Sequence, residues 1–415
     1  MAMRQSRLFT KIEKNPPKDE ESLNALLLER GGFIHRLMSG VYSYLPLGLL
    51  VLKKIEQIIR EEMNAVGGQE VLMPALHPLE NYIKTGRENI SDLFHTALGN
   101  GSKFVLGQSH EEVVVPLVQH YAHSYKDLPL AVYQIQTKFR NELRAKSGLF
   151  RGREFPMKDM YSFHLTEDDF EKYYDVVKKA YIKIFERAGI GGKTYFTYAA
   201  GGTFSKFSHE FQMLTPAGED TIYTCEKCRI AVNDEIKDVH KNCPECGGAL
   251  SGPKKAIEVG NIFPLKTKFS GAFGLTVKNE EGKEVPVFMG CYGIGLSRLM
   301  GAVAEVCNDQ NGLIWPESVA PFSVHLVYLR SDDKNVRAEA DKLYEKLTVE
   351  GTPVLYDDRE DKSAGEKFAE SDIIGIPVRA VVSEKTLKSA SVELKGRGEK
   401  DFKLVKISEI KKYVK

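Results

Sequence analysis

The segment Phe139-Arg140-Asn141-Glu142, followed after a polar loop by Arg151-Gly152-Arg153-Glu154-Phe155, narrows what this chain can fold into more than any other feature. Alternating stretches at Val132 to Gln136 and Phe155 to Phe163 predict two paired strands, so the two segments become the ends of one hairpin with a long loop. A guanidinium has a planar donor fork suited to phosphate oxygens, Glu142 can accept from an adenine amino group, and Phe155 offers a ring for a base to stack on. Such a hairpin can hold a nucleotide. Alone, Arg-x-x-x-Phe equally describes a surface salt-bridge cluster, so its meaning depends on what accompanies it.

Downstream, Met289-Gly290-Cys291-Tyr292-Gly293-Ile294-Gly295-Leu296-Ser297-Arg298 joins a strand through alternating glycines to a helix, and the glycines permit close backbone approach to a ligand. Arg298 falls in the first helical turn, where the helix dipole disfavours a cation, which points to an anion such as a terminal phosphate as its partner. The spacing Gly-x-x-Gly-x-Gly, with no βαβ unit after it, argues against a dinucleotide fold.

At 415 residues the chain should hold two or three domains, taking roughly 150 residues for each. With 42 per cent hydrophobic and 28 per cent charged residues it is of ordinary globular composition, neither disordered nor membranous. Met1 to Lys18 mixes Arg4, Arg7, Lys11, Glu13 and Lys14 with short apolar stretches and has no signal-peptide core, and no later run approaches a membrane span. The expectation is cytoplasmic residence with no membrane partner. A net charge of +1 leaves nucleic-acid binding open, because a phosphate-binding surface can be local. From Lys385 to Lys415 ten Lys/Arg oppose four Asp/Glu, a stretch that either follows a phosphate backbone or is simply a solvated surface.

Leu52, Ile55, Ile59 and Met63 recur at helical spacing, Gly67-Gly68 supplies a stop, and Val71-Leu72-Met73 reads as a short strand ended by Pro74. The apolar face of that helix serves either as core or as subunit interface. Thr166 with Asp169 resembles a capping box, after which Phe170, Tyr173, Val177, Tyr181, Ile184 and Phe185 mark a helix that Gly189 closes. Further strands are expected at Thr221 to Thr224 and Val285 to Met289, giving an antiparallel sheet with flanking helices. Beyond Trp315-Pro316 the pattern becomes a strand at Val324 to Leu329, a helix from Val336 to Leu347, a strand at Val354 to Tyr356, a helix near Ser363 to Ile373 and a strand at Val378 to Val382. That alternation implies a separate, mostly parallel α/β domain of about 95 residues.

Four of six cysteines fall in Cys225-x-x-Cys228 and, fourteen residues on, Cys243-x-x-Cys246 with Gly247-Gly248 following. Thiolates at that spacing make two knuckles that close a tetrahedral zinc site, and a reducing compartment argues against disulfides. The alternative is four reduced free thiols or a site that has lost its metal. His240 is surplus to a four-thiolate site.

Taken in order, these motifs resemble those of the class II aminoacyl-tRNA synthetases. The helix, strand and Pro74 look like motif 1, the dimer-forming element, the arginine hairpin like motif 2, and the glycine segment with Arg298 like motif 3. Within that class, Gly107-Gln108-Ser109-His110-Glu111-Glu112, the run from Arg153 to His164, Ser208-His209-Glu210-Phe211 and Gly290-Cys291-Tyr292-Gly293-Ile294-Gly295 are similar to bacterial-type prolyl-tRNA synthetases, over nearly the whole chain.

The resemblance implies an α/β (α+β) fold: a catalytic domain in two parts, 1–223 and 257–318, a zinc-ribbon-like insertion at 224–256 and an anticodon-binding domain at 319–415. It implies a homodimer that makes prolyl-adenylate from L-proline and ATP, releases pyrophosphate and transfers prolyl to the 3′ end of tRNA(Pro). Arg140 would contact the α-phosphate and the substrate carboxylate, Arg151 and Arg298 the γ-phosphate, Glu142 and Phe155 the adenine, and Glu258 the ATP with its Mg2+. Attack of a carboxylate on phosphorus is mainly positioning plus neutralisation of charge, so arginines and Mg2+ rather than a nucleophilic side chain should carry it. Glu111 would receive the proline ammonium, a sensible partner because an unpaired charge in a small pocket is expensive.

Ser109 stands where the family usually has Thr, keeping the hydroxyl and losing a methyl. Met157, Phe163 and Cys291 are expected against the pyrrolidine ring. Asn261 and Lys266 stand where bacterial relatives commonly carry His and Gly, which leaves the pocket contacts open. Asp358, Arg359 and Lys367 are the candidate anticodon contacts.

Many bacterial prolyl enzymes carry a large editing domain between motifs 2 and 3; here about thirty residues, Thr224 to Lys255, occupy the place. Discrimination against a slightly smaller apolar amino acid yields only about 1 to 3 kcal/mol, so some alanine mischarging is expected, with a separate trans-editing hydrolase as a partner. Two rivals remain: a class II synthetase for another amino acid, against which the Ser109 to Glu111 loop argues, and a non-catalytic paralogue acting as a binding subunit, against which Arg140, Arg151, Arg298 and Glu142 argue.

Overall fold

The hairpin is present: Leu130–Phe139 pairs antiparallel with Glu154–His164, from Leu130 opposite Phe163 to Phe139 opposite Glu154. The structure is a computed structural model that describes residues 2–13, 15, 17, 20–143 and 145–414. It divides into two units, one of Met38–Val41 with Ile55–Ala302, the other of Met1–Leu37, Tyr42–Lys54 and Val303–Lys415.

The first unit is built on a nine-stranded, mainly antiparallel sheet in the order Phe207–Leu214, Thr194–Ala200, Ile230–Asn233, Asp220–Cys225, Ser251–Lys266, Phe288–Gly295, Glu154–His164, Leu130–Phe139, Gln69–Glu70. Period-two alternation sorts the central strands into two faces. One face lies under the helix Glu167–Arg187, which buries Phe170, Tyr174, Val177, Tyr181, Ile184 and Phe185. Each such side chain contributes about 1.5 to 3 kcal/mol. Thr166 caps the helix by accepting from the Asp169 amide, whereas the Asp169 carboxylate pairs with His164 at 2.7 Å. The cap is therefore one-sided. On this face Lys158 is fully buried and donates to the Tyr181 hydroxyl at 2.5 Å and the Tyr292 carbonyl at 3.1 Å. Desolvation pushes its amine down to about 7. The opposite face presents Phe155, Met157, Asp159 and Tyr161 to a cavity.

Two sequence expectations change. Val71 to Met73 is not a strand: the ladder with Val132 and Tyr133 stops at Glu70, and the side chains of Gln134 and Gln136 take over, meeting the Met73 amide at 3.0 Å and carbonyl at 2.9 Å. The glycine segment joins a strand to a helix as expected, but the strand placed at Val285 to Met289 runs on through the glycines as Phe288–Gly295, and the helix Leu296–Val306 follows directly. A Cβ at Gly290 would lie 2.9 Å from the Phe170 ring, so the glycine is there to let sheet and helix pack.

The second unit carries a six-stranded sheet in the order Ala2–Arg4, Val354–Asp357, Val324–Tyr328, Val378–Val382, Ser391–Gly396, Lys403–Lys406, parallel through the first four and antiparallel through the last two. Val336, Ala340, Leu343 and Leu347 of the helix Lys334–Val349 pack on Val324, Leu326 and Tyr328. The edge strand comes from the N-terminus, a placement the sequence reading did not anticipate. Asp358 holds it by accepting from the Ser6 amide and hydroxyl at 3.0 and 2.8 Å, while Arg4 reaches Asp341 at 2.8 Å and lies over Tyr344 and Tyr356.

In this unit Gly375 ends the helix Ala364–Ile374 at φ 76°, and an added Cβ would lie 2.3 Å from the Leu313 carbonyl oxygen. Gly375→Ala is expected to lower stability by about 2 to 4 kcal/mol in urea unfolding, combining left-handed strain with a backbone clash. A loss under about 1 kcal/mol would show that the Leu313 segment yields instead.

Candidate functional site

Four strands, two helices and the loops between them converge on a cavity of about 370 Å³. Strand Glu154–His164 contributes Phe155, Met157, Asp159 and Tyr161, strand Phe288–Gly295 contributes Cys291 and Gly293, and the end of Leu130–Phe139 continues into Arg140. From strand Ser251–Lys266 come Glu258 and Asn261, three residues apart and so on opposite faces of a regular strand. A bulge at Val259 brings both to the cavity: Phe211 pairs with Gly260 and the next residue, Gln212, with Glu258. Ser109 and Glu111 enter from the start of the helix Glu111–Tyr121, and Arg298 from the helix Leu296–Val306.

Polar groups at one end of this cavity lack partners. Ser109 Oγ, Asn261 Oδ1 and both Glu111 carboxylate oxygens are buried without a hydrogen bond to nitrogen or oxygen, and Glu111 keeps only a long ion-pair contact with Arg87, at 3.6 Å, and the Cys291 thiol, a weak donor. Unpaired buried acceptors are costly, and a donor-rich cation is what such a set accepts. At the other end Arg140 lies with its guanidinium carbon 5.3 Å from the Phe155 ring centroid. Desolvation pushes the Arg140 pKa down, and the nearby Arg298 charge adds to this while Glu258 opposes it. Arg298 donates to the Phe150 and Glu258 carbonyls at 2.9 and 3.1 Å and meets the Glu258 carboxylate at 3.3 Å. Two guanidiniums facing one concavity suit an anion.

Beneath the floor lies a buried network that the motifs did not single out. Asp159 pairs with Lys138 at 2.7 Å and accepts from Gln134 at 3.0 Å and from the Tyr161 hydroxyl at 2.9 Å. The Tyr161 oxygen in turn accepts from the His110 amide at 2.8 Å. Its signal in the sequence is Lys138 and Asp159 themselves, opposite charges on the two paired strands.

Other expected site residues fall elsewhere. Phe163 lies on the same strand face but is fully buried in the core beside Val115, Phe269 and Met289, which corrects its expected contact with a substrate ring. Glu142 and Arg151 lie outside the cavity lining, 3.2 Å from each other, with Arg151 also 2.8 Å from Glu219. Lys266, where a glycine was expected, has φ 51°, the conformation that glycine adopts freely. Of the three candidate anticodon residues, Lys367 has no exposure and donates to the Tyr328 and Asp357 carbonyls, and Asp358 is 6 per cent exposed and occupied by the N-terminal strand. Both are thereby corrected from surface contacts to internal ones. Arg359 is partly exposed and pairs with Asp357 and Glu370, each at 2.7 Å.

The four ribbon cysteines do converge, their Sγ atoms lying within 4.8 Å of one another, with neighbouring pairs at 3.3, 3.6 and 3.7 Å. Four sulfurs at 2.3 Å from a tetrahedral zinc would stand about 3.8 Å apart. Both knuckles turn alike. The Arg229 amide donates to the Cys225 carbonyl and the Gly247 amide to the Cys243 carbonyl, with Arg229 and Gly247 at φ 56° and 68°.

The fold and its site are those of a class II aminoacyl-tRNA synthetase: residues 94–307 match the family described as tRNA synthetase class II core domain (G, H, P, S and T), and residues 319–415 match the anticodon binding domain. Among curated relatives, the proline–tRNA ligases of Zymomonas mobilis and of Wolbachia sp. subsp. Drosophila simulans are each 39 per cent identical, over 96 and 98 per cent of both chains respectively. That of Moorella thermoacetica is 31 per cent identical over 96 per cent of both chains, in an alignment of 551 positions that marks it as the longer protein. The chain belongs to the proline–tRNA ligase family. Its fold is similar to that of Giardia lamblia prolyl-tRNA synthetase solved with prolyl-adenylate, at TM-score 0.78, 20 per cent identity and coverage of 94 per cent of this chain and 76 per cent of that one. It is also similar to the Cryptosporidium parvum enzyme complexed with halofuginone and AMPPNP, at TM-score 0.77, 16 per cent identity and coverage of 94 and 75 per cent. No helix among the described residues is long and apolar enough to cross a membrane.

Acid should act on this site through its histidines. His77 and His110 have no exposure, and desolvation holds them down at about 4 and about 3. Between pH 6.5 and about 4 the unfolded chain takes up protons that the folded chain refuses, so stability falls as pH falls, by up to about 1.4 kcal/mol per pH unit for each histidine. His110→Gln is expected to remove its share of that slope in urea unfolding across this range; an unchanged slope would contradict it.

Proposed function

We propose that the cavity binds L-proline and ATP together, with Glu111 and Ser109 receiving the proline ammonium and Arg140 bridging the substrate carboxylate and the α-phosphate. The single observation that carries this is the polarity of the cavity, with buried acceptors that receive no hydrogen bond at one end and two guanidiniums at the other. In this reading a proline carboxylate oxygen attacks the α-phosphorus, the new P–O bond forms as the bond to the bridging oxygen breaks, and pyrophosphate leaves. The terminal ribose hydroxyl of tRNA(Pro) then attacks the carbonyl carbon and AMP departs. Adenine stacks on Phe155, Met157 and Cys291 flank the pyrrolidine ring beside Asn261, and Arg298 holds the γ-phosphate. Arg151 and Glu142 join once ATP draws Arg151 away from Glu219.

Glu258 fits a role beside Mg2+. The carboxylates of Glu210, Asp220 and Glu258 crowd here, and desolvation with the Glu258 charge pushes Glu210 up to about 8, as expected where a cation is wanted. Mg2+ held by Glu258 and phosphate oxygens would neutralise charge on the leaving pyrophosphate. The reading further comprises cytoplasmic residence, a homodimer through the helix Pro46–Ala65 and the segment ending at Pro74, where Leu72 is 75 per cent exposed, and anticodon recognition by the second unit, with Arg359 as the remaining candidate contact. Cys225, Cys228, Cys243 and Cys246 hold a structural zinc, and with only about thirty residues inserted there, alanine mischarging is left to a trans-editing hydrolase.

Proline-dependent ATP–pyrophosphate exchange tests the core of this. Wild-type protein should exchange with proline and weakly with alanine, and Arg140→Ala should lose at least about a hundredfold in kcat/KM. Exchange by Arg140→Ala near wild type would overturn the assignment. The purified protein should contain about one zinc per chain, and chelation or Cys243→Ser should release it and expose the ribbon to proteolysis. Metal-free protein with a proteolytically resistant ribbon would refute the structural zinc, and rapid hydrolysis of Ala-tRNA(Pro) would refute the dependence on a second enzyme.

A further inference from the structure

The helix Glu111–Tyr121 begins with two adjacent glutamates, and the fold buries Glu111 and Glu112 completely. Two neighbouring carboxylates cannot both stay ionised out of water unless cations meet them. Among the described residues one cation lies within ion-pair distance of either: Arg87, 3 per cent exposed, whose Nη1 is 2.8 Å from Glu112 and 3.6 Å from Glu111. Thr85 Oγ1 donates to the same Glu112 oxygen at 2.9 Å, and Asn81 fixes the Glu112 carbonyl at 2.8 Å. The guanidinium also stacks 4.5 Å from the ring of Phe204, which lines the cavity. Arg87 is thus held closer to Glu112, and Glu111 is left with the longer 3.6 Å contact and no hydrogen bond to nitrogen or oxygen. Desolvation, opposed by Arg87 and reinforced by the charge of Glu111, pushes the Glu112 carboxyl up.

We propose that Arg87 and Glu112 are positioning residues for amino-acid recognition: Glu112 draws Arg87 to itself and keeps it from closing on Glu111, and the substrate ammonium enters as the second cation that the carboxylate pair lacks. This rests on the reading of Glu111 as the ammonium contact. The other titratable groups that feel the Glu111 charge are Tyr82, Lys138, Arg140, Tyr161 and Cys291. Lys138 is committed to Asp159, and Arg140 is directed to the anion end of the cavity.

The test is proline-dependent pyrophosphate exchange by the full chain, with KM for proline and for ATP measured from pH 6.5 to 8.5. Glu112→Gln frees Arg87 to compete for Glu111, so the proline KM should rise about tenfold while the ATP KM stays within about twofold. Arg87→Gln leaves the carboxylate pair to share a proton, so its proline KM should rise at least about tenfold near pH 7 and recover as pH rises. Arg87→Lys should rescue in part. Arg87→Gln with Glu112→Gln should show a lower proline KM than either single variant, since both halves of the pair are removed. A double variant no better than the worse single, or a pH-independent defect in Arg87→Gln, would overturn the proposal and leave Arg87 merely structural. If Arg87→Gln does not fold, Glu112→Gln and Arg87→Lys decide by the same KM split. Glu111→Gln separates the two levels: an unchanged proline KM there sinks the ammonium reading itself, whereas a raised one with normal Glu112→Gln sinks only the role of the pair.

Discussion

The ion pair between Lys138 and Asp159 is the contact on which the rest of the site depends. It spans the two strands of the hairpin nearly out of reach of water, 2.7 Å apart with Asp159 2 per cent exposed, and removing one partner of such a pair typically costs about 3 to 5 kcal/mol. Asp159 orients Tyr161, and Tyr161 fixes the amide of His110, the residue before Glu111. The position of the Glu111 carboxylate is therefore set by a charge pair two links away. The same hairpin carries Arg140 and Phe155 at its far end, so the carboxylate end and the guanidinium end of the cavity share one rigid support.

What makes the cavity selective is an imbalance. Glu111, Glu112 and Asp159 bring three buried carboxylates against Arg87 and Lys138, while Arg140 and Arg298 wait at the opposite end. A zwitterionic amino acid beside a polyphosphate corrects both deficits at once.

Much of this was legible in the sequence. The hairpin, the glycine segment, the cysteine spacing and the C-terminal alternation predicted the sheet, the ribbon and the separate α/β domain, because each has a local signature: period two, period 3.6, or a fixed ligand spacing. The misses have a common origin in tertiary structure. Gln134 and Gln136 replace a ladder at Met73, a bulge at Val259 aligns Glu258 with Asn261, and the N-terminal strand joins a sheet more than 300 residues away in sequence. No local pattern reports these. Lys367 and Asp358 misled because charge was read as exposure, and Arg87 and Glu112 were passed over because a pair that neutralises itself looks like ordinary surface composition.

The most direct test of the site is a crystal structure with a non-hydrolysable prolyl-adenylate analogue. The expected result places the analogue's amine within about 3 Å of Glu111 and Ser109, its phosphate on Arg140, and its adenine against Phe155, with Arg87 still on Glu112. An amine held elsewhere, with Glu111 facing an empty or water-filled end of the cavity, would contradict the assignment of the unpaired acceptors and with it the chemical polarity on which the function is argued.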